Sequence, residues 1–297
     1  MLTCVNELSV SQLDDIVRLL EKCKQHDGNS IPIYKHLIEK RHPVPCNILY
    51  YQNNQLAGYL RSFFFFEDAC EITLMVDPKL RRKRIATQLL ETITPIMQNE
   101  YINKLIFSTP PKMHDAWFKK LGLTYRNSEY HMQYRLKNQS TIKPKPAKIR
   151  FATTADIPDL CIIDNFAFPN KKAEPEALFH NLLKTHNCEI FVLTVDNKVL
   201  GKAHIFTESD KVRLTDIGIH PASRSQGLGT SLIKHCINHC LLRNKTNIVL
   251  DVETTNDGAL KLYQNLGFEI TNSHDYWYTA PDQENYGLNP IIQNPTK

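Results

Sequence analysis

A polar segment near the middle divides this chain, and the same order of structural elements is predicted on both sides of it. Residues 137–148 read KNQSTIKPKPAK, in which two prolines fix φ and cannot donate backbone hydrogen bonds, a composition typical of a linker. A chain of 297 residues is also long for one compact core and fits two domains of roughly 140 residues each. We therefore predict an N-terminal domain over 1–137, a linker over 138–148, a C-terminal domain over 149–280 and a polar tail over 281–297.

Hydrophobic periodicity and turn residues place the elements of each half. In the second half, strands are predicted over 149–152, 189–195, 199–207, 213–219, 247–253 and the closing strands of 268–279, with helices around 160–165 and over 175–185, 229–242 and 257–266. In the first half, helices are predicted over 10–24 and 113–121, and a third helix follows the turn PKLRRKRIA at 78–86 and ends at 97. Strands are predicted over 46–51, 55–64, 70–76, 104–108 and 124–136. Hairpin strands that alternate with helices predict a mixed α/β sheet in each half.

Composition narrows the class of protein. The net charge of +5 favours an anionic ligand but is small for a dedicated nucleic-acid binder. No apolar stretch approaches the roughly 20 residues of a membrane span, and the first residues do not resemble a secretory signal, so we expect a soluble, cytoplasmic protein without membrane contact. The eight cysteines form no CxxC pair, which favours reduced thiols.

One cluster has the spacing of a metal site. His235, Cys236, His239 and Cys240 fall at i,i+4 spacing on a predicted helix and could chelate zinc. Core packing explains them better, because this helix needs an apolar face and no acidic residue nearby would orient a ligand histidine. We therefore predict no metal.

A glycine-containing turn of the second half has the features of a phosphate site. It reads RSQGLGT over 224–230 and joins a predicted strand to a predicted helix. The first amides of a helix lack intrachain partners and, with the positive end of the helix dipole, attract anions. Gly227 and Gly229 would let phosphate oxygens approach the backbone closely, although glycine is also the ordinary residue of tight turns.

Two further segments give this turn a specific context. They are TDIGIHP over 215–221 and NDGALKLYQNLGF over 256–268. Together the three segments resemble the GCN5-related N-acetyltransferase (GNAT) family, well over 149–280 and in outline over 2–136. The tandem layout is similar to that of mycothiol synthase and of VipF-type bacterial effectors. The second similarity implies action inside a host cell.

The resemblance implies acetyl-CoA as cofactor and assigns residues to it. Amides of the turn would hold the pyrophosphate, the open strand edge before the turn would bind the pantetheine arm and acyl carbonyl, and the last helix would place a phenol beside the sulfur. The residues implied are Ile217, Gly218, Ile219, Arg224, Ser225, Gln226, Gly227, Leu228, Gly229, Thr230, Asn256 and Tyr263.

The same resemblance implies direct attack of an amine on the thioester. A backbone amide near Ile217 or Gly218 would stabilise the charged carbonyl oxygen by about 3 kcal/mol. Tyr263 would protonate the thiolate, whose conjugate acid has a pKa of roughly 8.5, although core packing is the alternative role for this residue. Asp216 and Glu253 are the candidate bases, and His220 is a weaker option.

The first half departs from the family pattern at three positions. Arg84 stands where the first glycine belongs, Phe118 is opposite the predicted acid, and Pro111 is opposite Asn256. We therefore expect a non-catalytic N-terminal domain that shapes the acceptor site or docks a protein partner. The cations of 81–84 also allow a patch for nucleic acid or an acidic partner, but no stacking aromatic residues interleave with them, so nucleic acid is not favoured.

These observations predict an N-acetyltransferase whose C-terminal domain transfers acetyl groups to an amine of a small molecule or protein. The alternative is an acyl-CoA-binding regulatory or partner-docking module without turnover. Acceptors contact variable loops in this family, and no motif in the sequence identifies the acceptor.

Overall fold

The structure is a computed structural model that describes residues 1–29, 31, 33, 35–64, 69–100, 102, 104–135, 147–168, 175–208 and 211–279. Most of the predicted linker and the whole predicted tail, residues 138–146 and 281–297, lie outside the described residues. Among the described helices, none is long and apolar enough to cross a lipid bilayer.

The chain forms two compact units whose boundaries differ from the expected ones. Among the described residues, the first unit comprises those of 1–130 together with 272–279, and the second comprises those of 131–271. The difference arises in β6 (Leu123–Tyr134) and β12 (Phe268–Thr279), where the sequence led us to expect more than one strand. Each is instead one continuous strand of 12 residues, and each contributes residues to both units.

The first unit is a mixed sheet covered by helices. Its strands lie in the order β1-β2-β3-β4-β5, followed by residues 272–279 of β12 and then residues 123–130 of β6. Among the described strand pairs of this unit, β4 and β5 run parallel and the others run antiparallel. Besides β6 and β12, its elements are β1 (Leu2–Val5), α1 (Val10–Asp27), α2 (Lys35–Ile38), β2 (Asn47–Gln52), β3 (Gln55–Phe63), β4 (Ala69–Val76), α3 (Ile85–Asn99), β5 (Lys104–Thr109) and α4 (Asp115–Lys120).

Two apolar layers pack on this sheet. One contains buried residues of α3 together with Phe118 of α4 and Trp277 of β12, whose rings stack at 5.5 Å between centroids. The other contains Ile16 and Leu19 of α1 and Tyr59 of β3. The core of the first unit therefore includes a residue from the last described strand of the chain.

The second unit has the same arrangement. Next to residues 268–271 of β12 and 131–134 of β6, its strands follow in the order β11-β10-β9-β8-β7, with β10 and β11 parallel. Besides β6 and β12, its elements are β7 (Lys148–Phe151), α5 (Ile157–Ala167), α6 (Pro175–Leu182), β8 (Cys188–Val195), β9 (Lys198–Thr207), β10 (Val212–Ile219), α7 (Leu228–Leu242), β11 (Ile248–Glu253) and α8 (Asp257–Asn265).

The predicted mixed α/β sheet is confirmed in both units, and most element boundaries lie within a few residues of the prediction. The hairpin turns show why. Asn53 and Asn54 have φ of 48° and 58°, and Asp196 and Asn197 have φ of 48° and 61°. Asparagine and aspartate tolerate this left-handed conformation, which two-residue hairpin turns require. The prediction missed β1 and α2, which are only four residues long each.

Candidate active site

The predicted phosphate turn of the second unit presents a helix start that no side chain caps. After β10 the chain makes a short 3₁₀ turn, and Ser225 and Gly227 then adopt left-handed backbone with φ of 59° and 78°. Gly227 is the residue immediately before α7, and within the described part of the chain no side-chain cap covers the first amides of that helix. Because residues 224–227 are exposed, this helix start can receive an anion.

Two side chains of the turn hold its own backbone. Nε of Arg224 donates to the carbonyl of Ile219 at 3.1 Å, and Nε2 of Gln226 donates to the carbonyl of Ala222 at 3.3 Å. The turn therefore keeps its shape without a ligand. A Cβ added at Gly229 would lie 3.5 Å from Leu262 in α8. The start of α7 is therefore close to the helix that carries Tyr263.

A bulge interrupts the strand that precedes the turn. The pairing of β10 with β9 shifts register between Thr215 and Gly218, and Asp216 within the bulge has a φ of 49°. On its other side, the described pairing of β10 with β11 covers Val212 and Arg213. The edge of β10 at Ile217–Ile219 is consequently available to a ligand's amide groups.

The side chain of Tyr263 is buried and its ring packs against a neighbouring aromatic ring. It lies on α8, is 8% exposed, and its ring meets that of Phe268 in a T-shaped contact at 6.0 Å. Burial raises the pKa of Tyr263 to about 12, so the phenol remains protonated at neutral pH. Its hydroxyl makes no side-chain hydrogen bond to another described residue.

The other predicted polar residues have different surroundings. Asn256 caps α8, since its Oδ1 accepts a hydrogen bond from the amide of Ala259 at 3.1 Å. Glu253 ends β11 as an exposed residue. The side chain of Asp216 is 18% exposed and accepts a hydrogen bond from the hydroxyl of Thr215 at 2.9 Å, whereas the His220 ring contacts Phe166 at 5.4 Å.

A buried group beside Asp216 was missed by the sequence reasoning. Lys202 and His204 on β9 are 0% and 1% exposed, and Lys202 forms an ion pair with Asp164 at 2.6 Å. The signal was present in the sequence, because two basic residues two positions apart interrupt an otherwise apolar central strand and must share one face.

The cysteines and histidines of the alternative zinc site are divided between two environments. Cys236 and Cys240 are buried, whereas Nε2 of His239 lies 3.1 Å from the carboxylate of Glu189 and His235 packs against Phe191. No group of three or more potential ligands is assembled within the described residues.

The first unit contains a turn of the same shape. Arg82 and Arg84 have φ of 63° and 61°, and Arg84 immediately precedes α3 without a side-chain cap. Nε of Arg81 donates to the carbonyl of Val76 at 3.2 Å, as Arg224 does to Ile219 in the second unit. The arginine in place of glycine therefore changes the side chain presented and leaves the backbone path intact.

A cavity of about 520 Å³ opens beside this first turn. Its walls include Arg81 and Arg84 from the turn, Leu74 from β4, and Trp117 and Phe118 from α4. Arg81 is paired with Asp27, which also lines the cavity, whereas Arg82 and Arg84 add positive charge beside the apolar walls, a combination that suits a phosphorylated ligand with an apolar arm. Among the sequence features, only the cationic turn indicated a binding site here.

The first unit lacks two features of the second. The pairing of β3 with β4 runs in unbroken register from Gly58–Val76 to Phe63–Glu71, without a bulge. Phe118, which aligns with Tyr263, is 3% exposed and has no hydroxyl. The strand distortion and the phenol thus occur together in the second unit.

Comparison with known proteins agrees with this geometry. The sequence profile of the acetyltransferase (GNAT) family matches residues 13–122 and 157–268. The ribosomal protein bS18 alanine N-acetyltransferase of Escherichia coli strain K12 is 33% identical over 95 residues, a match covering 32% of this chain and 64% of that enzyme. This chain thus spans less than two thirds of the length of that relative.

Two solved structures share the fold over nearly the whole chain. A GCN5-related N-acetyltransferase from Sphaerobacter thermophilus has a TM-score of 0.76 at 15% identity and covers 93% of this chain and 95% of its own. A tandem GNAT protein from the clavulanic acid biosynthesis pathway has a TM-score of 0.64 at 13% identity, covering 96% and 100%. Because the family profile matches each half and accounts for more than half of the residues, this chain belongs to the acetyltransferase (GNAT) family as a tandem member.

Proposed function

We propose that the second unit transfers an acetyl group from acetyl-CoA to an amine, and that the first unit does not catalyse this reaction. GNAT acyltransferases in general pass an acyl group from acyl-CoA to an amine. The observation that carries the proposal is the bulge around Asp216. It leaves an open strand edge beside an uncapped helix start, in the unit that also contains Tyr263.

The proposed reaction balances without a covalent enzyme intermediate. The amine nitrogen bonds to the thioester carbonyl carbon, and the carbon–sulfur bond then breaks. A backbone amide near Ile217 or Gly218 stabilises the negative charge on the carbonyl oxygen. Tyr263 gives its proton to the departing thiolate and is reprotonated from solvent, while a base takes the proton that the amine nitrogen loses.

Asp216 is the base that its position favours. It adjoins the open edge at Ile217, and its side chain is partly shielded from water. Glu253 lies at the exposed end of β11, and His220 packs beside Phe166. A shielded carboxylate next to the acyl carbonyl is closest to where the amine must attack.

The cavity of the first unit favours a second, non-catalytic function. We propose that this unit binds an acyl-CoA without turnover, with the turn at 81–84 against the phosphates and the pantetheine arm in the cavity. Phe118 cannot donate a proton, and the unbroken β4 provides no bulge beside the carbonyl. The docking of a protein partner by this unit stays a prediction.

Two considerations support an amine acceptor of the peptide α-amino class: the requirements of direct attack and the substrate of one relative. Direct attack requires an uncharged primary or secondary amine. The Escherichia coli relative is an alanine N-acetyltransferase of ribosomal protein bS18. We therefore propose that peptide α-amino groups belong in the first acceptor panel, alongside lysine side chains and small polyamines.

Matched substitutions at the two helix starts test the division of labour. Gly229 and Ala86 occupy the same position relative to Gly227 and Arg84, two residues further along the chain. A glutamate at either place puts a negative charge where a phosphate would bind, and at Gly229 the new Cβ makes only ordinary contacts. CoA release and acetylated product are measured for the full chain, Gly229→Glu and Ala86→Glu, with each amine.

We expect Gly229→Glu to abolish transfer and Ala86→Glu to retain it. Calorimetry with CoA should show two sites in the wild type and one in either variant. Loss of transfer in Ala86→Glu alone would place catalysis in the first unit and contradict the proposal. CoA binding without transfer to any amine would favour a binding module without turnover.

A further inference from the structure

A line of buried charged groups runs from α5 to the strand bulge of the second unit. Nζ of Lys202 lies 2.6 Å from Oδ1 of Asp164 and 3.4 Å from Nε2 of His204. Nδ1 of His204 in turn lies 3.6 Å from Oδ2 of Asp216. The line therefore ends on the carboxylate that adjoins the proposed acyl site.

The line lies inside an apolar layer. The rings of Phe168 and Phe179 are centred 5.5 Å and 5.1 Å from Nζ of Lys202, and Phe179 also contacts the ring of His204 at 6.0 Å. A buried ion pair returns about what its desolvation costs, and apolar side chains of similar size often pack as well or better. Stability alone therefore gives no reason for these charges.

The neighbours of His204 determine which of its nitrogens carries the proton. The ammonium of Lys202 can only donate, so Nε2, which faces it, acts as the acceptor. A neutral imidazole then has its proton on Nδ1, the nitrogen that faces Asp216. The hydroxyl of Thr215 donates to the same carboxylate oxygen at 2.9 Å. Thr215 thus donates to Oδ2 of Asp216, while Nδ1 of His204 faces the same oxygen at 3.6 Å, an electrostatic contact beyond hydrogen-bond distance, and both favour the ionised carboxylate.

We propose that Lys202 and His204 are positioning residues for acetyl transfer, which hold Asp216 ionised and oriented toward the amine acceptor. This inference rests on the proposed function of the second unit. In this role His204 acts through Asp216 and contacts neither the coenzyme nor the acceptor. An ionised Asp216 binds the ammonium form of the acceptor and passes one of its protons to solvent before the nitrogen attacks, so the carboxylate is again free to take the second proton as the amide forms.

Other titratable groups face the same line of buried charges. Burial raises the pKa of Cys188 to about 12 and also raises the pKa of Cys161, so both thiols stay neutral between pH 5 and about 8. The charged and titratable groups, in chain order, are Cys161 and Asp164 on α5, Glu176 on α6, Cys188 on β8, Lys202 and His204 on β9, and Asp216 on β10.

Nitrogen NMR tests the proton position without any substrate. Two-bond couplings between the ring hydrogens and the ring nitrogens of ¹⁵N-labelled full-length protein show which nitrogen is protonated, and His204→Phe assigns the signal. We expect a neutral ring at pH 7 with the proton on Nδ1. A proton on Nε2, or a doubly protonated ring at that pH, would overturn the inference.

Kinetics test the consequence for Asp216. In His204→Phe the carboxylate loses the N–H dipole that faces it, so its ionised form is less favoured and the acidic limb of kcat/KM for the amine should move to higher pH. KM for the amine should rise about two- to fivefold, as expected for the loss of one electrostatic contact that is not a hydrogen bond, with little change in KM for acetyl-CoA. The double variant Lys202→Met with Asp164→Leu removes both charges together, which protects the fold, and should move the limb less in the same direction.

Val199→Ala is the matched control. Val199 lies on β9 in the same apolar layer, so its truncation lowers the melting temperature without touching the charged line. The acidic limb should stay in place in this variant. If the wild type transfers acetyl groups but the acidic limb of kcat/KM stays in place in His204→Phe and in the double variant, this inference alone is contradicted. Absence of transfer by the wild type would contradict the proposed function, and the NMR result would still decide the proton position.

Discussion

Arg84 and Gly227 have the same left-handed backbone conformation, each as the residue before a helix. Their φ and ψ values are 61° and 13° for Arg84, and 78° and 0° for Gly227. A residue with a Cβ pays roughly 1–2 kcal/mol in this region, whereas glycine does not. The turn of the first unit is therefore kept in shape by its surroundings, against the local preference of its own residue.

Exchanging these two residue types should change stability more than shape. Gly227→Arg should lower the free energy of unfolding of the second unit by about 1–2 kcal/mol, because only the backbone conformation resists it. An added Cβ at Gly227 meets no other atom within 4 Å. Chemical denaturation measures the change, and Arg84→Gly should give a gain of about 1 kcal/mol in the first unit. A collapse of either unit would show that the side chain determines the turn.

Tyr263→Phe should remove most of the catalysis and little of the stability. The ring and its contact with Phe268 remain, while the proton for the thiolate is lost. We expect CoA release to fall by about 10²- to 10⁴-fold, the usual effect of a general acid. The raised pKa of Tyr263, about 12, also predicts that the wild-type rate shows no alkaline decline from this group below pH 10.

Tyr134→Phe provides the comparison for this substitution. Tyr134 is also buried and its ring also contacts Phe268, at 5.5 Å. It has no part in the proposed reaction, so this variant should release CoA at the wild-type rate. Equal rates for Tyr263→Phe and the wild type would end the assignment of the acid.

The sequence was a good guide wherever local chemistry decides the structure. The helix α8 was predicted within one residue, because Asn256 is a favourable cap and Gly267, with a φ of 98°, ends the helix. The residue types of the turn at 224–230 likewise predicted a helix start able to bind an anion. These features depend on a few neighbouring residues and on well-known backbone preferences.

Features set by distant contacts could not be predicted. Nothing in residues 213–219 distinguishes a bulged strand from a regular one, since the shift at Asp216 depends on its pairing with β9. The path of β12 into the first unit is decided by packing partners more than 100 residues away in sequence, such as Leu105, whose amide donates to the hydroxyl of Thr279. The cavity of the first unit arises in the same way, from α1, β4, α3, β5 and α4 and the turns beside them.

Gly218→Ala should disturb the bulge through α5. A Cβ at this position would come within 2.9 Å of Ile163 and 3.2 Å of Ala167, and both lie on that helix. Overpacking of this kind typically costs 1–3 kcal/mol, so the melting temperature should fall by several degrees and acetyl transfer should fall with it. Gly258→Ala is the control, because a Cβ there meets nothing within 4 Å and alanine favours a helix.

Acid should destabilise the second unit through one carboxylate. Both terminal nitrogens of Arg150 donate to Asp156 at 2.7 Å, and the amide of Thr153 donates to it at 2.8 Å. These bonds, led by those from Arg150, lower the pKa of Asp156 to about 2. A depressed pKa adds stability that is present above the unfolded value of roughly 3.9 and is lost as pH falls toward 2.

Asp156→Asn should remove this dependence on pH. The side chain of Asp156 is only 7% exposed, so the loss is about 2 kcal/mol at pH 7 and shrinks toward zero near pH 2. Denaturant titrations from pH 7 to about 2.5 measure the difference between variant and wild type. A difference that stayed constant across this range would show that Asp156 acts by packing or by neutral hydrogen bonds.

The core of the first unit should depend on the far end of the chain. Trp277 is 2% exposed, and its ring stacks on Phe118 and meets Tyr125 edge-on at 5.7 Å. Its strand pairs antiparallel with β5, and Asp275 accepts hydrogen bonds from Lys112 and Ser128. Removal of a buried tryptophan side chain costs about 3–5 kcal/mol, so Trp277→Ala should strongly destabilise this unit.

Amide hydrogen exchange can locate that loss, because it reports the opening of each strand separately. In Trp277→Ala, the amides of β4 and β5 should exchange faster, although more than 150 residues of sequence separate Trp277 from them. Phe151→Ala is a useful comparison, since Phe151 is an aromatic residue of the second unit that is 48% exposed. If faster exchange in Trp277→Ala were confined to residues next to position 277, β12 would be an accessory strand. If the amides of β4 instead lose protection when the Trp277 side chain is removed, the first unit completes its fold only after the whole second unit has been synthesised.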